Sequence, residues 1–248
     1  MSEHRHLKKP PITEALLDFR VRSVSADAAD AIAKLRLVLA QKLPVVDEQQ
    51  SVRAEFEIGA QGPVAKESRN LGVQGAFFRS ADEHTIAQFR KDGFTYNRLQ
   101  PYSGWNTVFP EALSLWHEYI RAFQPSEITR LAVRYINRVA IPLPVSRIDE
   151  YLCAAPAIPS AAPQHVSSFV SRVVVDDIAT SSQAAITQIM EPIVDSSHAY
   201  IILDIDVFAA IQLEPYDRRV SELLISFRSI KNKIFFTALT DKALETYS

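Results

Sequence analysis

Two aspartates stand two residues apart in Ile202-Leu203-Asp204-Ile205-Asp206-Val207. Side chains alternate across a strand, so Asp204 and Asp206 share a face, the arrangement by which carboxylates converge on a divalent metal or raise one another's pKa. Set against a phosphate-bearing substrate, they would be the metal ligands of a metal-dependent enzyme, with Arg134 and Arg138 as anion clamps. The plainer reading is a solvated strand edge or ion pairs with neighbouring arginines. Glu14 and Asp18 also share a face, but four residues of strand separate them by about 13 Å, too far for one metal.

The second candidate is a row of guanidinium groups. Leu131 to Ile141, closed by Pro142, alternates apolar and basic residues and is the clearest strand signal in the chain. Leu131, Val133, Tyr135, Val139 and Ile141 fall on one face, and Arg130, Arg134 and Arg138 on the other. If the strand containing Arg20 and Arg22 pairs with it, the candidate binding set is Arg20, Arg22, Arg134, Asn137 and Arg138. Guanidinium forks suit phosphate, but Arg134 and Arg138 lie about 13 Å apart along a strand, so one small phosphate does not reach both. An extended polyanion such as RNA or single-stranded DNA does, and so do separate carboxylates. Glu14, Asp18, Glu55 and Glu57 are acidic enough to pair with this row as cross-strand salt bridges, and we favour that outcome.

Other reactive groups are scattered. His84, His117, His165 and His198 lack metal-ligand spacing, and His4 and His6 belong to the terminal segment, so zinc is not expected. Cys153 sits in Leu152-Cys153-Ala154-Ala155, apolar surroundings that predict an inert thiol. Ser167, Ser168 and Ser171 lack a nucleophile elbow. Phe94, Tyr96, Tyr102 and Trp105 have the rings to stack bases, yet beside Trp116 and Phe123 they read more simply as core. No cofactor is implied.

The elements that must position these groups follow from periodicity. Ile12 to Arg22 alternates, with Ala15, Leu17, Phe19 and Val21 against Glu14, Asp18, Arg20 and Arg22. Ser25 is placed to cap a helix carrying Ala28, Ile32, Leu35, Leu39 and Leu43, stopped by Pro44. Val52 to Ile58, Leu71 to Arg79 and His84 to Arg90 read as strands, and Lys91-Asp92-Gly93 as a hairpin turn into Phe94 to Leu99. Phe109, Leu113, Trp116, Tyr119, Ile120 and Phe123 mark one face of a helix with Pro110 in its first turn. After an Ala- and Pro-rich stretch with a short helical piece near Arg147 to Leu152, strands are expected at Val166 to Asp176, Gln183 to Met190 and His198 to Val207. A helix from about Asp217 presents Val220, Leu223, Leu224, Phe227, Ile230 and Ile234, and a last turn starts at Thr240. The fold class is α+β, mainly antiparallel sheet packed against long helices in two sequential halves. The chain is one compact unit or two lobes, 1–145 and 164–248, about a connector at 146–163.

A chain of 248 residues at 47% hydrophobic composition can bury a sizeable core. A formal charge of -2 provides no global attraction to nucleic acid or anionic lipid. Only 6 glycines, without a glycine-rich strand-to-helix turn, argue against a Rossmann or P-loop site. A lone cysteine, no signal-like apolar run after Met1 and no membrane-length apolar stretch lead to an expected cytoplasmic protein with no membrane partner.

Pro10-Pro11-Ile12-Thr13-Glu14-Ala15-Leu16-Leu17-Asp18-Phe19-Arg20 and Arg134-Tyr135-Ile136-Asn137-Arg138 resemble a sporadically distributed bacterial family of unknown function. The Gln88 to Asn97 hairpin and the Lys231 to Thr240 segment resemble it too. The resemblance implies no activity. Its patchy distribution implies an accessory locus of the stress or phage-defence type. The expected function is therefore a non-enzymatic binding or sensing component whose partner is another protein or a second copy of itself. A metal-dependent enzyme on a phosphate-containing substrate, and a nucleic-acid-binding module using the arginine face, are the alternatives.

Overall fold

In a computed structural model the described residues form one nine-stranded antiparallel sheet with helices on it. The structure describes residues 7–22, 26–59, 62–143, 147–163, 166–192 and 197–248, with only the backbone described over 52–59 and 62–69. In chain order the strands are β1 (Ile12–Arg22), β2 (Val45–Gly59), β3 (Gly62–Arg79), β4 (Thr85–Arg90), β5 (Gly93–Leu99), β6 (Glu127–Pro142), β7 (Val170–Asp177), β8 (Ser182–Met190) and β9 (His198–Leu213). The helices are α1 (Ala28–Leu39), α2 (Trp105–Phe123), α3 (Arg219–Ala238) and the short α4 (Asp241–Glu245). Spatial order is β2-β3-β4-β5-β1-β6-β9-β8-β7, so strands from both sequential halves share one sheet.

β6 lies between β1 and β9, with Tyr135 opposite Ala15 on one side and Ile205 on the other. Alternation then sorts the side chains. Ala15, Leu17 and Phe19 of β1, Val133 and Tyr135 of β6, and Leu203, Ile205 and Val207 of β9 are all buried. Phe19 stacks on Trp116 of α2 at 4.5 Å, and Tyr135 meets Lys231 of α3. Because Phe19 pairs with Leu131, four residues before Tyr135 on the same strand, α2 and α3 lie on the same face of the sheet. Burial of this one face supplies the core, and the other face carries the charged residues.

The expected long helices are corrected. Strand dominates: 16-residue β6 and β9 each extend about 53 Å at ~3.3 Å per residue, whereas 20-residue α3 reaches only about 30 Å. β2 and β3 pair from Val45↔Arg79 to Gly59↔Gly62, well beyond the runs at Val52 to Ile58 and Leu71 to Arg79. β9 likewise continues to Leu213, and β7 starts at Val170 instead of Val166.

Local chemistry accounts for the boundaries. The cap expected at Ser25 lies outside the described residues; Asp27 caps α1, accepting from the Ala29 and Asp30 N–H groups. The Asp92-Gly93 turn joins β4 to β5, and a Cβ on Gly93 would sit 2.2 Å from the Phe19 carbonyl oxygen, so only glycine lets β5 approach β1 there. α2 starts earlier than expected, at Trp105, and Pro110 is therefore in its second turn, where it deprives one carbonyl of its helical donor. The buried stripe of α2 runs through Val108, Ala112, Leu115, Trp116, Tyr119 and Phe123, leaving the expected Phe109 and Leu113 half-buried. The last helical turn, expected to start at Thr240, is α4, and Thr240 caps it, accepting from Ala243 N–H. The connector segment is tied down at its start, where Leu152 bridges to Leu239 and Cys153 N–H donates to the Ala238 carbonyl.

Candidate functional site

The arginine row of β6 lies on the uncovered face, and each guanidinium already meets a carboxylate. Arg130 bridges Asp18 of β1 and Asp206 of β9, both at 3.0 Å. Arg134 forms a two-pronged pair with Asp204, Nε to Oδ1 at 2.8 Å and a terminal nitrogen to Oδ2 at 2.6 Å. Arg138 reaches Glu191 at 2.8 Å and lies 3.4 Å over the Tyr200 ring. Arg20 contacts Asp18 at 3.1 Å and Asp92 at 3.0 Å, and Arg22 reaches Glu127 at 3.4 Å. The two aspartates singled out as metal ligands are thus the partners of Arg134 and Arg130. Among the described residues no group of three or more His, Cys, Asp or Glu side chains is arranged to hold a metal.

Burial is strong enough to disturb this network. Asp206 has its pKa raised by desolvation, with Arg130 and Arg134 opposing, and its Oδ1 is buried without a hydrogen-bond partner. Glu14, expected to neutralise an arginine, forms no ion pair among the described residues; burial raises its pKa while Arg134 lowers it. The side chains of Glu55 and Glu57 are outside the described residues.

Asn137 parts company with the arginines. By the period of two it belongs with Tyr135, and it is buried on the helix-covered face, its side-chain nitrogen donating to the Leu203 carbonyl at 2.9 Å. There it lines a cavity of about 320 Å³ between the end of the sheet and α3. β1 and the segment before it contribute Leu7, Lys8, Pro10 and Ile12 to the walls; the loop into α2 adds Tyr102, Ser103, Gly104 and Trp105; α3 adds Arg228, Lys231, Asn232, Phe235 and Phe236.

Lys231 is the unusual member. It is only 7% exposed, its ammonium lies 3.8 Å from the centre of the Tyr135 ring, and no carboxylate of the described residues pairs with it. Desolvation, helped by Arg228, lowers its pKa to about 7. Arg228 itself lies 5.2 Å over Trp105. The Tyr135 and Tyr102 hydroxyls are hydrogen-bonded at 2.8 Å, and burial raises the pKa of both phenols, so they act as neutral dipoles. Gly104, the N-cap of α2, has φ of 91° and offers no side-chain cap, and with Ser103 and Trp105 it places the positive end of that helix in the cavity wall. Three cationic side chains, a helix amino terminus and aromatic walls therefore surround a space whose described lining contains no acid.

No family model and no curated protein matches this chain. Its chemistry has to be read from its own residues.

Neither strand alternation nor acidic pairs in the sequence point to Lys231, Arg228 or Lys8. A signal existed: α3 buries Val220, Leu224, Phe227, Lys231, Phe235 and Ala238, a helical stripe at spacings of three and four in which one slot is a lysine. Of the remaining candidates, Phe94 and Tyr96 are core residues and Trp105 lines the cavity. Cys153 is exposed, not enclosed in the apolar surroundings expected from its neighbours in sequence. His4, His6 and His165 lie outside the described residues.

Proposed function

We propose that this protein is a ligand-binding component, acting without a catalytic step, that takes a small organic anion in the cavity beneath Tyr135. The ligand class is a carboxylate or phosphate carried on a flat apolar body. The observation that carries this reading is Lys231, a buried ammonium without a counter-ion at a wall shared with Arg228. Leaving such a charge unpaired is costly, and an anion that enters the cavity relieves the cost. Lys8 and the uncapped start of α2 add to the attraction, while Tyr102, Trp105 and Tyr135 offer faces to an apolar body. The volume is at the small end of ligand sites, about 300–1,000 Å³.

A binding or sensing role agrees with what the resemblance to a sporadically distributed bacterial family implies, an accessory locus of stress or phage defence. The arginine face is less suited to nucleic acid or to a metal-assisted phosphate reaction, because its guanidiniums and the Asp204/Asp206 pair are spent on one another. No helix of the described residues is long and apolar enough to cross a membrane.

Thermal melts and titration calorimetry with phenyl phosphate, benzoate, inorganic phosphate and uncharged benzyl alcohol test the reading. Phenyl phosphate or benzoate should raise the melting temperature of the parent and leave Lys231→Met and the Arg228→Met/Lys231→Met pair unmoved, while benzyl alcohol does neither. Equal shifts in parent and Lys231→Met, or none at millimolar anion, would sink it.

A further inference from the structure

β7 is the outermost strand of the sheet at its β8 end, and no described residue pairs with its far side. Its sequence is Val170-Ser171-Arg172-Val173-Val174-Val175-Asp176-Asp177, with Val170, Val173, Val174 and Val175 exposed and Ile178 just beyond, 91% exposed. Edge strands are ordinarily blunted by charged side chains, proline or a bulge; β7 has no proline, lysine or register shift, and its charges are Arg172, Asp176 and Asp177, whereas β2 at the opposite end presents Asp47, Glu48, Gln49 and Gln50.

The direction of the free backbone groups can be derived. Met190 N–H donates to the Phe169 carbonyl, and residue 169 continues the register in which Val170 faces Ile189. Residues 169, 171, 173, 175 and 177 therefore turn their backbone groups toward β8, and Val170, Arg172, Val174 and Asp176 turn theirs outward.

We propose that the free edge of β7 pairs with the same edge of a second copy, antiparallel about a two-fold axis at Val174, so that two sheets join into one. In that register Val174 faces its own copy and Arg172 faces Asp176 of the partner subunit, twice by symmetry. All three are outward-facing residues, so each opposed pair exchanges two backbone hydrogen bonds, six in all by the antiparallel rule. Side chains directly opposite share a face, which brings the guanidinium and carboxylate together. Arg172 has no ion pair among the described residues, and Asp176 uses one oxygen to accept from Gln183 at 2.8 Å. Centring the pairing instead on Arg172 or on Asp176 would set like charges against each other. Charge therefore selects the Val174 register, and it selects a second copy of this chain as the occupant.

Sedimentation velocity of the full chain across a concentration series tests the pairing. The parent is expected to be a concentration-dependent dimer. Arg172→Asp and Asp176→Arg, each placing like charges opposite one another twice, should raise the dissociation constant at least tenfold, and the double swap Arg172→Asp/Asp176→Arg should restore it. Val174→Lys, which opposes two ammoniums on the axis, should give monomer with a far-UV spectrum and melt like the parent's. A parent that stays monomeric at 100 µM overturns the proposal, as does a dimer indifferent to Val174→Lys and to the charge changes. If Val174→Lys misfolds, the single and double charge variants decide alone.

Discussion

Replacing Lys231 by methionine keeps the stem and removes the charge, so it isolates the cost of holding an ammonium in the cavity wall. The folded pKa is lowered from 10.5 to about 7. Below pH 7 lysine is protonated in both folded and unfolded chains, and the full penalty is present. Between about pH 7 and 10.5 the unfolded chain binds more protons than the folded one, so stability rises with pH through that window. At ~1.4 kcal/mol per tenfold, the whole window is worth at most about 5 kcal/mol, and the ring of Tyr135 offsets part of it by ~1–2 kcal/mol. In urea melts, Lys231→Met should be more stable than the parent at pH 6.5, with the gap closing by about 2–3 kcal/mol by pH 9.5. Using the difference between the two proteins cancels every titration they share. Curves that run parallel within about 0.5 kcal/mol across that range would show that Lys231 is solvated or already paired, and the cavity would lose its reason to attract an anion.

Arg130→Met leaves Asp206 without its ion pair on a half-buried face, while Asp18 keeps Arg20, and should cost about 2–4 kcal/mol; adding Asp206→Asn should recover part of it, read as a coupling in a double-mutant cycle. Tyr135→Phe removes the hydroxyl bonded to Tyr102 and should cost about 1–2 kcal/mol, against about 3–5 for Tyr135→Ala, which empties the centre of the core face; chemical denaturation of both separates the two effects. Glu14 has a raised folded pKa, so the folded chain binds its proton more readily and stability falls as pH rises through the window above its ordinary value of 4.5. Glu14→Gln should therefore stabilise the protein at neutral pH and make no difference well below pH 4, which melts at pH 3.5 and 7 would show.

Much of the sheet was legible because half-buried strands write a period of two. β1 and β6 announce themselves through Leu17, Phe19, Val133 and Tyr135, and Asp92-Gly93 marks its hairpin. The same period puts Asn137 on the side of Tyr135, so grouping it with Arg134 and Arg138 in one binding set runs against the alternation itself. What stayed hidden has physical causes. Glu48 to Ser51 of β2 and Lys66 to Asn70 of β3 are polar runs without a period of two, and it is their pairing with each other's strand that makes them visible as sheet. The alternation of β9 ends at Val207, and Phe208 to Leu213 continues the strand without it. The partners of the arginine row depend on the register of β6 with β9, in which Arg134 faces Asp206 across some seventy residues of chain, and no local pattern encodes that. Lys231 does not stand out when a helical face is read through its apolar residues; the informative feature is a charged residue in an apolar slot.

The proposed ligand binding requires Lys231 to be an unpaired cation that an anion completes. Carbon-13 NMR of lysine labelled at the ε-carbon, titrated from pH 5 to 11 with and without phenyl phosphate, reads that charge directly, with Lys231→Met assigning the resonance. A Lys231 titrating near 7 in the free protein and at clearly higher pH with phenyl phosphate bound is the predicted result. A resonance that titrates above 10 in the free protein, or one that phenyl phosphate leaves in place, would contradict it.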